Sequence, residues 1–497
     1  QHRYDRPTFR VVECIEYVLQ LRSVLVRERV TDHFTDPYSS QRFNATDIGL
    51  PIALPRTRIA GSYKHQPRLC PRMSETIDHD RLVGLRREFH RHPEPAWREF
   101  YTTVRIVEEC RRIGVDRLVV GPDLLVTESR TAVPDDADLE TWLERARQRD
   151  IDPELLDRLD GGYTGAMAVL ERGEGPTVAL RVDIDALPRE ESTDDEHLPA
   201  AEGFRAETPA MHACGHDAHA TIGLGVLEAI ANSDFRGTFK LVFQPAEEVV
   251  GGGRAIAESG HLDDVDYLFA LHIGLDHPTG EVVAGIGDFL AVRHFRADFR
   301  GESAHAGANP QAGRNAVQAM ATAVQNLYAI PRHEDGATRI NAGDVGGGSA
   351  TNIVPEDAYI EGEVRGETDA LMEYMSEKAD RVLEHAAAMH DCEVSIATHA
   401  EAPSAESDEA LVDIVAEAAD DVESVTSLLE RAPLGGSEDA TFLMQRVQER
   451  GGLATYVGIG TDHPGGHHTA TFDVDEPSLS IGVDVLSRAI LRLPPVE

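Results

Sequence analysis

The sequence has no long apolar run, which excludes a membrane-spanning helix of ordinary length. Such a helix needs about 18 or more apolar residues, whereas the most apolar early segment, residues 11–30, holds six charged side chains. We expect neither a transmembrane helix nor a secretion signal there. Cysteine is scarce as well: the five are odd in number and far apart, at Cys14, Cys70, Cys110, Cys214 and Cys392. This excludes a disulfide framework and favours a reducing cytoplasm.

Lysine is nearly absent, since only three of the 47 cationic side chains are Lys, at Lys64, Lys240 and Lys378. Acidic residues number 87, so the formal net charge is −40 at pH 7. Such a field repels phosphate backbones and argues against a nucleic-acid partner. An acidic, Lys-poor surface is typical of a salt-rich cytosol, because salt screens self-repulsion and carboxylates hold water. We interpret the chain as halophilic, with an ordinary acidic mesophilic protein as the alternative.

The charge is unevenly distributed along the 497 residues. Residues 1–72 contain 12 Lys and Arg against 7 Asp and Glu, whereas the remaining 425 contain 35 against 80. We interpret residues 1–72 as an N-terminal extension that need not belong to the native fold. The whole length is enough for roughly two to four domains of ordinary size.

From residue 166 onward, strand-like and helix-like segments alternate. The pattern predicts a helix at Ala220–Asn232 and strands at Ala166–Leu170, Thr177–Val182, Thr238–Phe243 and Tyr267–His272. That alternation is typical of an α/β sheet whose catalytic groups lie on loops at strand ends. Residues 136–160 form a separate helical patch, for which Asp138 is the predicted N-cap.

A different order of elements interrupts this pattern between residues 293 and 400. The predicted order is strand, helix, two strands, helix and strand, at Ala291–Arg300, Arg314–Tyr328, Thr338–Asp344, Asp357–Arg365, Asp369–Met389 and Cys392–His399. This βαββαβ order is the ferredoxin-like motif. We therefore predict a catalytic domain in two parts, residues 73–292 and 401–497, with a small domain inserted at 293–400.

The densest chemical cluster runs from Met211 to His219, Met-His-Ala-Cys-Gly-His-Asp-Ala-His, directly before a predicted helix. Thiolate and imidazole bind Zn²⁺ or similar ions, while carboxylates suit harder ions such as Mn²⁺. Three further features follow or end predicted strands, namely the pair Glu247 and Glu248, then His272, then the pair His467 and His468. Because all belong to one α/β domain, we expect them to converge on a binuclear metal centre.

The adjacent carboxylates Glu247 and Glu248 leave their loop in different directions. One is expected to bind metal while the other acts as general base, and a solvated acidic pair is the alternative for these two taken alone. A nucleophilic Cys214 with a histidine base is the competing chemistry. It leaves Glu247, Glu248 and His272 without a role, so we favour the metal centre.

Six features resemble those of the M20 metallopeptidase clan, and specifically its amidohydrolase branch. They are Ala179–Pro188, His212–Asp217, Gln244–Glu248, Ser303–Gly307, Asn352–Pro355 and His468. Within that branch the chain is similar to the subfamily of aminobenzoyl-glutamate hydrolase A subunits, at Val133–Gly165, Gly274, Gly436–Ala440 and Gly466–His468. The resemblance covers about residues 77–495. It implies a zinc-peptidase-like catalytic domain with an inserted ferredoxin-like lid or dimerisation domain.

The resemblance implies a role for each matching residue. Glu247 matches the general base. The residues that match metal ligands, for two divalent ions per subunit (Mn²⁺ or Zn²⁺), are Cys214, His216, Glu248, His272 and His468. Asp183 and Asp185 stand where the wider clan has a His-x-Asp motif with a ligand histidine. We expect these two to orient the ligands, with a structural role at the strand end as the alternative.

Three residues of the inserted segment also match functional positions of the family. His305 matches a lid histidine that reaches the partner subunit's active site and supports the oxyanion. Asn352 and Arg365 match lid residues near the substrate, and a guanidinium suits a carboxylate group. Because His305 requires a second subunit, we expect a homodimer, or a heteromer with a related B-type subunit.

The expected activity is hydrolysis of the amide bond of N-acyl amino acids. The resemblance favours p-aminobenzoyl-glutamate, cleaved to p-aminobenzoate and glutamate. A broader aminoacylase or carboxypeptidase-like enzyme is one alternative. A weakly catalytic partner subunit is another, and the intact ligand set and Glu247 weigh against it.

Overall fold

A computed structural model of the chain describes residues 78–463 and 465–495. The interpretation of residues 1–72 as an extension lies outside them. The described strands are β1 (Arg117–Val120), β2 (Ala166–Glu171), β3 (Thr177–Asp183), β4 (Thr238–Gln244), β5 (Tyr267–Ile273), β6 (Glu281–Gly287), β7 (Ala291–Arg300), β8 (Ala304–His305), β9 (Thr338–Gly347), β10 (Ile353–Val354), β11 (Asp357–Gly366), β12 (Glu393–Ala402), β13 (Ser427–Pro433) and β14 (Leu453–Ile459). They form an eight-stranded sheet, a four-stranded sheet and a two-stranded ribbon.

The larger sheet has the order β1-β2-β4-β3-β5-β14-β6-β13. Strands β4, β3, β5 and β14 lie side by side in the middle of the sheet and are parallel to one another. Strand β2 pairs antiparallel with β1 on one side and with β4 on the other. The α/β fold predicted from the alternation is confirmed, and the four strands predicted before residue 273 are present. Parallel neighbours bring their carboxyl ends to one edge, which is where ligands bind in such sheets.

Helices cover this sheet. The described α-helices are His79–Arg91, Phe100–Ile113, Asp136–Arg147, Pro153–Asp157, Leu198–Glu202, His216–Ala231, Gly253–Ala257, Ala316–Leu327, Asp369–Met389, Glu409–Asp420, Ala440–Glu449 and Pro477–Arg492. Helix His216–Ala231 is buried on nearly every side, as expected for a helix that is apolar all round. Within the two described ranges, no helix combines the length and apolarity needed to cross a bilayer.

The helical patch at 136–160 consists of two helices rather than one. The first begins after Asp135, whose side chain accepts from the N–H of Asp138. Asp138 as the N-cap is therefore wrong: it lies in the first turn, and its carboxylate accepts from Arg98. The second helix begins at Pro153, because Asp152 caps it by accepting from two backbone N–H groups.

The smaller sheet has the order β12-β7-β11-β9, and all its pairs are antiparallel. Helices Ala316–Leu327 and Asp369–Met389 pack on it, and their apolar side chains join those of the sheet in a separate hydrophobic core. Along the chain the main elements follow the order strand, helix, strand, strand, helix, strand. Its outer elements begin at Ala291 and end at Ala402. The division into domains at residues 293 and 400 stays our proposal.

Helix His79–Arg91 contributes buried charges to the larger core. Arg86 donates to Asp217 at 2.8 Å, and His90 lies 2.8 Å from the same carboxylate and 2.9 Å from Glu191. Burial and the charge of Arg86 lower the pKa of His90, but the hydrogen bonds to Asp217 and Glu191 outweigh them and raise it to about 9. His90 is therefore a cation in the folded chain at neutral pH.

We expect the free energy of unfolding to fall on raising the pH, because the folded pKa of His90 lies above its ordinary 6.5. The stabilisation is complete below about pH 6.5 and is lost as the pH rises through about 9, a change of about 3 kcal/mol. Urea denaturation across this window measures it. The variant His90→Gln cannot titrate and should lose that part of the pH dependence; an unchanged slope would contradict the assignment.

Candidate metal centre

The parallel middle of the larger sheet brings predicted site residues to one edge. Strands β4, β3, β5 and β14 end side by side there. Three of them deliver polar side chains at or just after their carboxyl ends: Asp183 and Asp185 at β3, Glu247 and Glu248 at β4, and His272 at β5. His468 comes from the loop that follows β14. Residues separated by hundreds of positions thus meet because of the strand order.

Cys214 and His216 reach the same edge at the start of helix His216–Ala231. Gly215, between them, has a left-handed φ of +84°, and a Cβ at this position would lie 2.5 Å from the Ile273 side chain. Only glycine adopts this backbone conformation without strain and also avoids a clash with the Ile273 side chain. The close approach to Ile273 places Cys214 and His216 beside the end of β5.

The five residues predicted as metal ligands lie together. Two groups share Cys214: one adds His216 and His272, and the other adds Glu248 and His468. The candidate ligand atoms of each group lie within 4.8 Å of one another. Two neighbouring donor groups with a common thiolate suit two adjacent ions. We call these five residues the donor cluster.

Buried polar atoms inside the donor cluster lack hydrogen-bond partners where a metal would bind. His216 Nε2 and Glu248 Oε1 have none and lie 4.0 Å apart. His272 Nδ1 donates to the Ile273 carbonyl at 2.8 Å, which leaves the Nε2 lone pair facing Cys214 Sγ at 3.5 Å. Buried polar groups are rarely left unpaired, and a carbonyl partner on the second nitrogen commonly orients a ligating histidine. These residues therefore fit divalent metal ions.

Asp185 holds the turn that carries Glu247 and Glu248. Its carboxylate accepts from the N–H of Glu247 at 3.1 Å and of Glu248 at 3.0 Å. The same carboxylate lies 3.3 Å from His216 Nδ1. Asp185 thus contacts one member of the donor cluster and the turn that carries the predicted base, and its orienting role stays a prediction.

Glu99 supports the same turn, although no sequence motif signals it. It accepts from the N–H of Ala246 at 2.8 Å and from the Thr164 hydroxyl at 2.6 Å. Burial, followed by the charge of Asp185, raises the pKa of Glu99 to about 8. Glu99 and Ala246 are 147 positions apart, so only the folded chain shows the contact.

Asp183 belongs to a second buried network next to the donor cluster. Its carboxylate accepts from Arg181 at 2.8 Å and from His219 Nδ1 at 2.5 Å. His219 Nε2 accepts from the N–H of Ile273 at 2.8 Å, so both ring nitrogens are engaged and His219 is not free to bind metal. Arg181 also donates to Glu438 at 3.0 Å. Asp183 therefore fixes Arg181 and His219 next to the cluster, and its orienting role stays a prediction.

Glu247 faces other acidic groups. Burial first, and then the charges of Glu438 and Glu248, raise the pKa of Glu247 well above its usual value in the metal-free protein. Its Oε2 lies 3.9 Å from His216 Nε2. A strongly perturbed carboxyl group beside a set of metal-ligand side chains is typical of a functional site.

His305 lies on strand β8 of the two-stranded ribbon, and Asn352 lies in the turn before strand β10. His305 is exposed, and its Nδ1 accepts from the N–H groups of Gly307 at 3.1 Å and Ala308 at 3.0 Å. The neutral ring therefore carries its proton on Nε2. Asn352 immediately precedes Ile353, which pairs with His305. Among the described residues, neither side chain has a hydrogen bond to the donor cluster.

Arg365 lies on β11, where its guanidinium is already engaged. Its Nε and Nη2 donate to the two carboxylate oxygens of Glu363 at 2.9 and 3.0 Å, and Nη1 donates to the Ser437 hydroxyl at 3.1 Å. A substrate carboxylate would have to displace Glu363 from this fork. The role of Arg365 in substrate binding stays a prediction.

A cavity of about 460 Å³ opens beside the donor cluster. Cys214 and His468 line it, together with His467. Its apolar walls are Leu275, Ile286, Ala432, Pro433 and Leu434. Asp276 and His277 also line it. A cavity that combines apolar walls with several polar groups is typical of a small-molecule site.

Comparison with known proteins identifies the family of this chain. Residues 179–492 match the peptidase family M20/M25/M40. The chain belongs to this family and is a hydrolase. The resemblance read from its motifs is thereby confirmed.

Among its relatives is the indole-3-acetyl-aspartic acid hydrolase of Enterobacter agglomerans, 41% identical over 83% of this chain and 96% of the relative. Another is the p-aminobenzoyl-glutamate hydrolase A subunit of Escherichia coli K12, 40% identical over 83% of this chain and 96% of the relative. A similar solved structure is the aminobenzoyl-glutamate utilization protein of Klebsiella pneumoniae. That structure is 37% identical with a TM-score of 0.73, and the match covers 84% of this chain and 98% of that one.

Proposed function

We propose that this chain is a metal-dependent amidohydrolase that cleaves the amide bond of N-acyl amino acids, with p-aminobenzoyl-glutamate as the favoured substrate. The observation that supports this most is the convergence of the donor cluster beside Glu247. In this arrangement unpaired ligand atoms and the carboxylate of Glu247 occupy the same edge of the sheet. These are the parts that metal-assisted hydrolysis needs.

The mechanism assigns one task to each group. The donor cluster would hold two divalent ions, Mn²⁺ or Zn²⁺, which supply Lewis acidity to water and to the amide carbonyl. Glu247 accepts the proton of the attacking water on its carboxylate. It then gives that proton to the amide nitrogen as the C–N bond breaks and the amino acid leaves. Asp185 keeps Glu247 in place through the backbone N–H that it binds.

The substrate class rests on the relatives and on the cavity. The names of the two relatives at about 40% identity give substrates with an aromatic acyl group on an acidic amino acid. The apolar walls around Leu275 and Leu434 suit an aromatic ring. A third relative, an N-acetylcysteine deacetylase of Bacillus subtilis at 28% identity, favours a smaller acyl group instead. That broader aminoacylase activity is the second candidate.

The test is an assay of amide hydrolysis by the full chain, loaded with Mn²⁺ or Zn²⁺ in high salt. We expect kcat/KM to be at least about tenfold higher for p-aminobenzoyl-glutamate than for N-acetyl amino acids, a difference of about 1.4 kcal/mol. Chelation should abolish the activity. A preference for N-acetyl amino acids would support the broader aminoacylase. A rate unchanged after complete metal removal would overturn the proposal.

The active assembly, we propose, contains two subunits. His305 is exposed on the ribbon and, among the described residues, makes no hydrogen bond to the donor cluster of its own chain. In a second copy its Nε2–H would donate to the oxyanion. A homodimer is the simplest assembly. A heteromer with a B-type subunit is the alternative, since two relatives carry the name of a hydrolase A subunit or its homolog. The scattered cysteines favour a reducing cytoplasm, and the acidic surface fits a halophile.

A further inference from the structure

His467, the neighbour of a predicted ligand, has both ring nitrogens fixed by contacts. Its Nε2 accepts from the N–H of Leu275 at 2.9 Å. Its Nδ1 lies 3.5 Å from Cys214 Sγ, within hydrogen-bond range for sulfur. Because Nε2 uses its lone pair as an acceptor, the neutral ring carries its proton on Nδ1. That proton faces the sulfur, so His467 donates an N–H···S hydrogen bond.

The residues around His467 fit closely against its ring. Gly274 has a left-handed φ of +84°, and a Cβ at this position would lie 2.6 Å from His467 Nε2. Phe472 packs on the ring at a centroid distance of 4.7 Å, and His463 at 5.0 Å. A side chain at position 274 would push the ring away from Leu275. Gly274 and the Gly466–His468 motif therefore form one structural unit.

We infer that His467 is a positioning residue for the metal centre: its Nδ1–H donates to the sulfur of Cys214 and limits the electron donation of that sulfur to the metal. The inference rests on the proposed function, because it requires Cys214 to be a ligand. A hydrogen bond to a thiolate draws charge from the sulfur. It also fixes the direction of Sγ, the atom that both groups of the donor cluster share.

His467 is not itself a ligand. Coordination through Nδ1 would move the ring proton to Nε2, which would then face the N–H of Leu275 at 2.9 Å. Two donors at that distance repel, and the backbone N–H of Leu275 would lose its acceptor. His468 is therefore the residue of this pair that binds the metal. His467 affects the metal only through its hydrogen bond to Cys214.

The test uses Co²⁺ as the bound metal, since a thiolate bound to Co²⁺ gives a sulfur-to-metal charge-transfer band. In His467→Leu the sulfur loses its hydrogen bond and becomes a stronger electron donor. We expect the band to move to longer wavelength. The apparent Co²⁺ affinity, measured against a competing chelator, should fall about tenfold, because Sγ also loses the contact that fixes its direction. In His467→Asn the side-chain amide keeps an N–H donor near the Nδ1 position, so the band should stay close to that of the unaltered chain.

A second variant disrupts the same hydrogen bond by crowding Nε2 of His467, the ring nitrogen that does not face the sulfur. Gly274→Ala should displace the His467 ring and move the band in the same direction as His467→Leu. If His467→Leu does not fold, Gly274→Ala and His467→Asn together test whether His467 donates a hydrogen bond to the Cys214 sulfur. A band that stays in place in folded His467→Leu, or in Gly274→Ala, would overturn the inference. A charge-transfer band absent from the unaltered chain would overturn the proposed centre instead, so the two failures are distinguishable.

Discussion

The variant Glu247→Gln should lower kcat by about 10³-fold while the bound metal stays in place. A glutamine side chain has the size of glutamate but cannot accept the proton of the attacking water, and general-base catalysis contributes about 10²- to 10⁴-fold. Glu247 lies outside the predicted ligand set, so the metal content should not change. The measurements are turnover of p-aminobenzoyl-glutamate and elemental analysis of the same sample.

The fold should tolerate this change. Burial and the neighbouring charges of Glu438 and Glu248 raise the pKa of Glu247, which means that they disfavour a charge at this position, and a glutamine side chain carries none. We expect the free energy of unfolding of the metal-free protein to stay equal or to rise, which is common at active sites. Unchanged turnover would exclude Glu247 as the base. Loss of metal together with activity would make it a ligand.

The same variant tests whether His305 acts across subunits. Mixed with His305→Ala, which should also be nearly inactive, Glu247→Gln can form hybrid dimers. One site of each hybrid then combines an intact Glu247 with an intact His305 from the other chain. Recovery of activity on mixing is the expected outcome. No recovery in demonstrably exchanged dimers would contradict action in trans.

The fold could be predicted where each element carries its own hydrophobic pattern. Strands β2 to β5 are short apolar runs, and the parallel arrangement of β3, β4 and β5 follows from their alternation with helices. The pattern does not predict strands β1, β6 and β13. β1 and β13 lie at the two edges of the sheet, and edge strands are typically short or polar. β6 contains Gly285, where a Cβ would lie 2.4 Å from the Val412 side chain, and glycine weakens the strand pattern.

The site could be predicted where reactive side chains are close in sequence or match a motif. Cys214 and His216 flank one glycine, and Glu247 adjoins Glu248, so their chemistry is visible locally. Glu99 and Arg181 could not be predicted, because their partners come from other elements. Glutamate and arginine are ordinary surface residues in a sequence. Their function depends on burial and pairing that only the strand order produces.

Arg181 offers the largest expected effect on stability. The variant Arg181→Met should lower the free energy of unfolding by about 3 to 5 kcal/mol, because removing one partner leaves buried carboxylates without a counter-charge. Arg181 is fully buried and donates to Asp183 at 2.8 Å, to Gln244 at 2.9 Å and to Glu438 at 3.0 Å. Burial lowers its pKa, but Glu438 and Asp183 outweigh burial and hold it well above the usual value. Urea denaturation measures the loss.

A matched control separates this network from ion pairs at the surface. Arg172 donates to Asp116 at 2.8 Å, but both side chains are partly exposed, so Arg172→Met should cost less than about 1 kcal/mol. Adding Glu438→Gln to Arg181→Met removes one of the stranded charges and should recover part of the loss. If Arg181→Met were no more costly than the control, the network would not stabilise the fold. The position of Asp183 would then have to depend on the hydrogen bond from His219 alone.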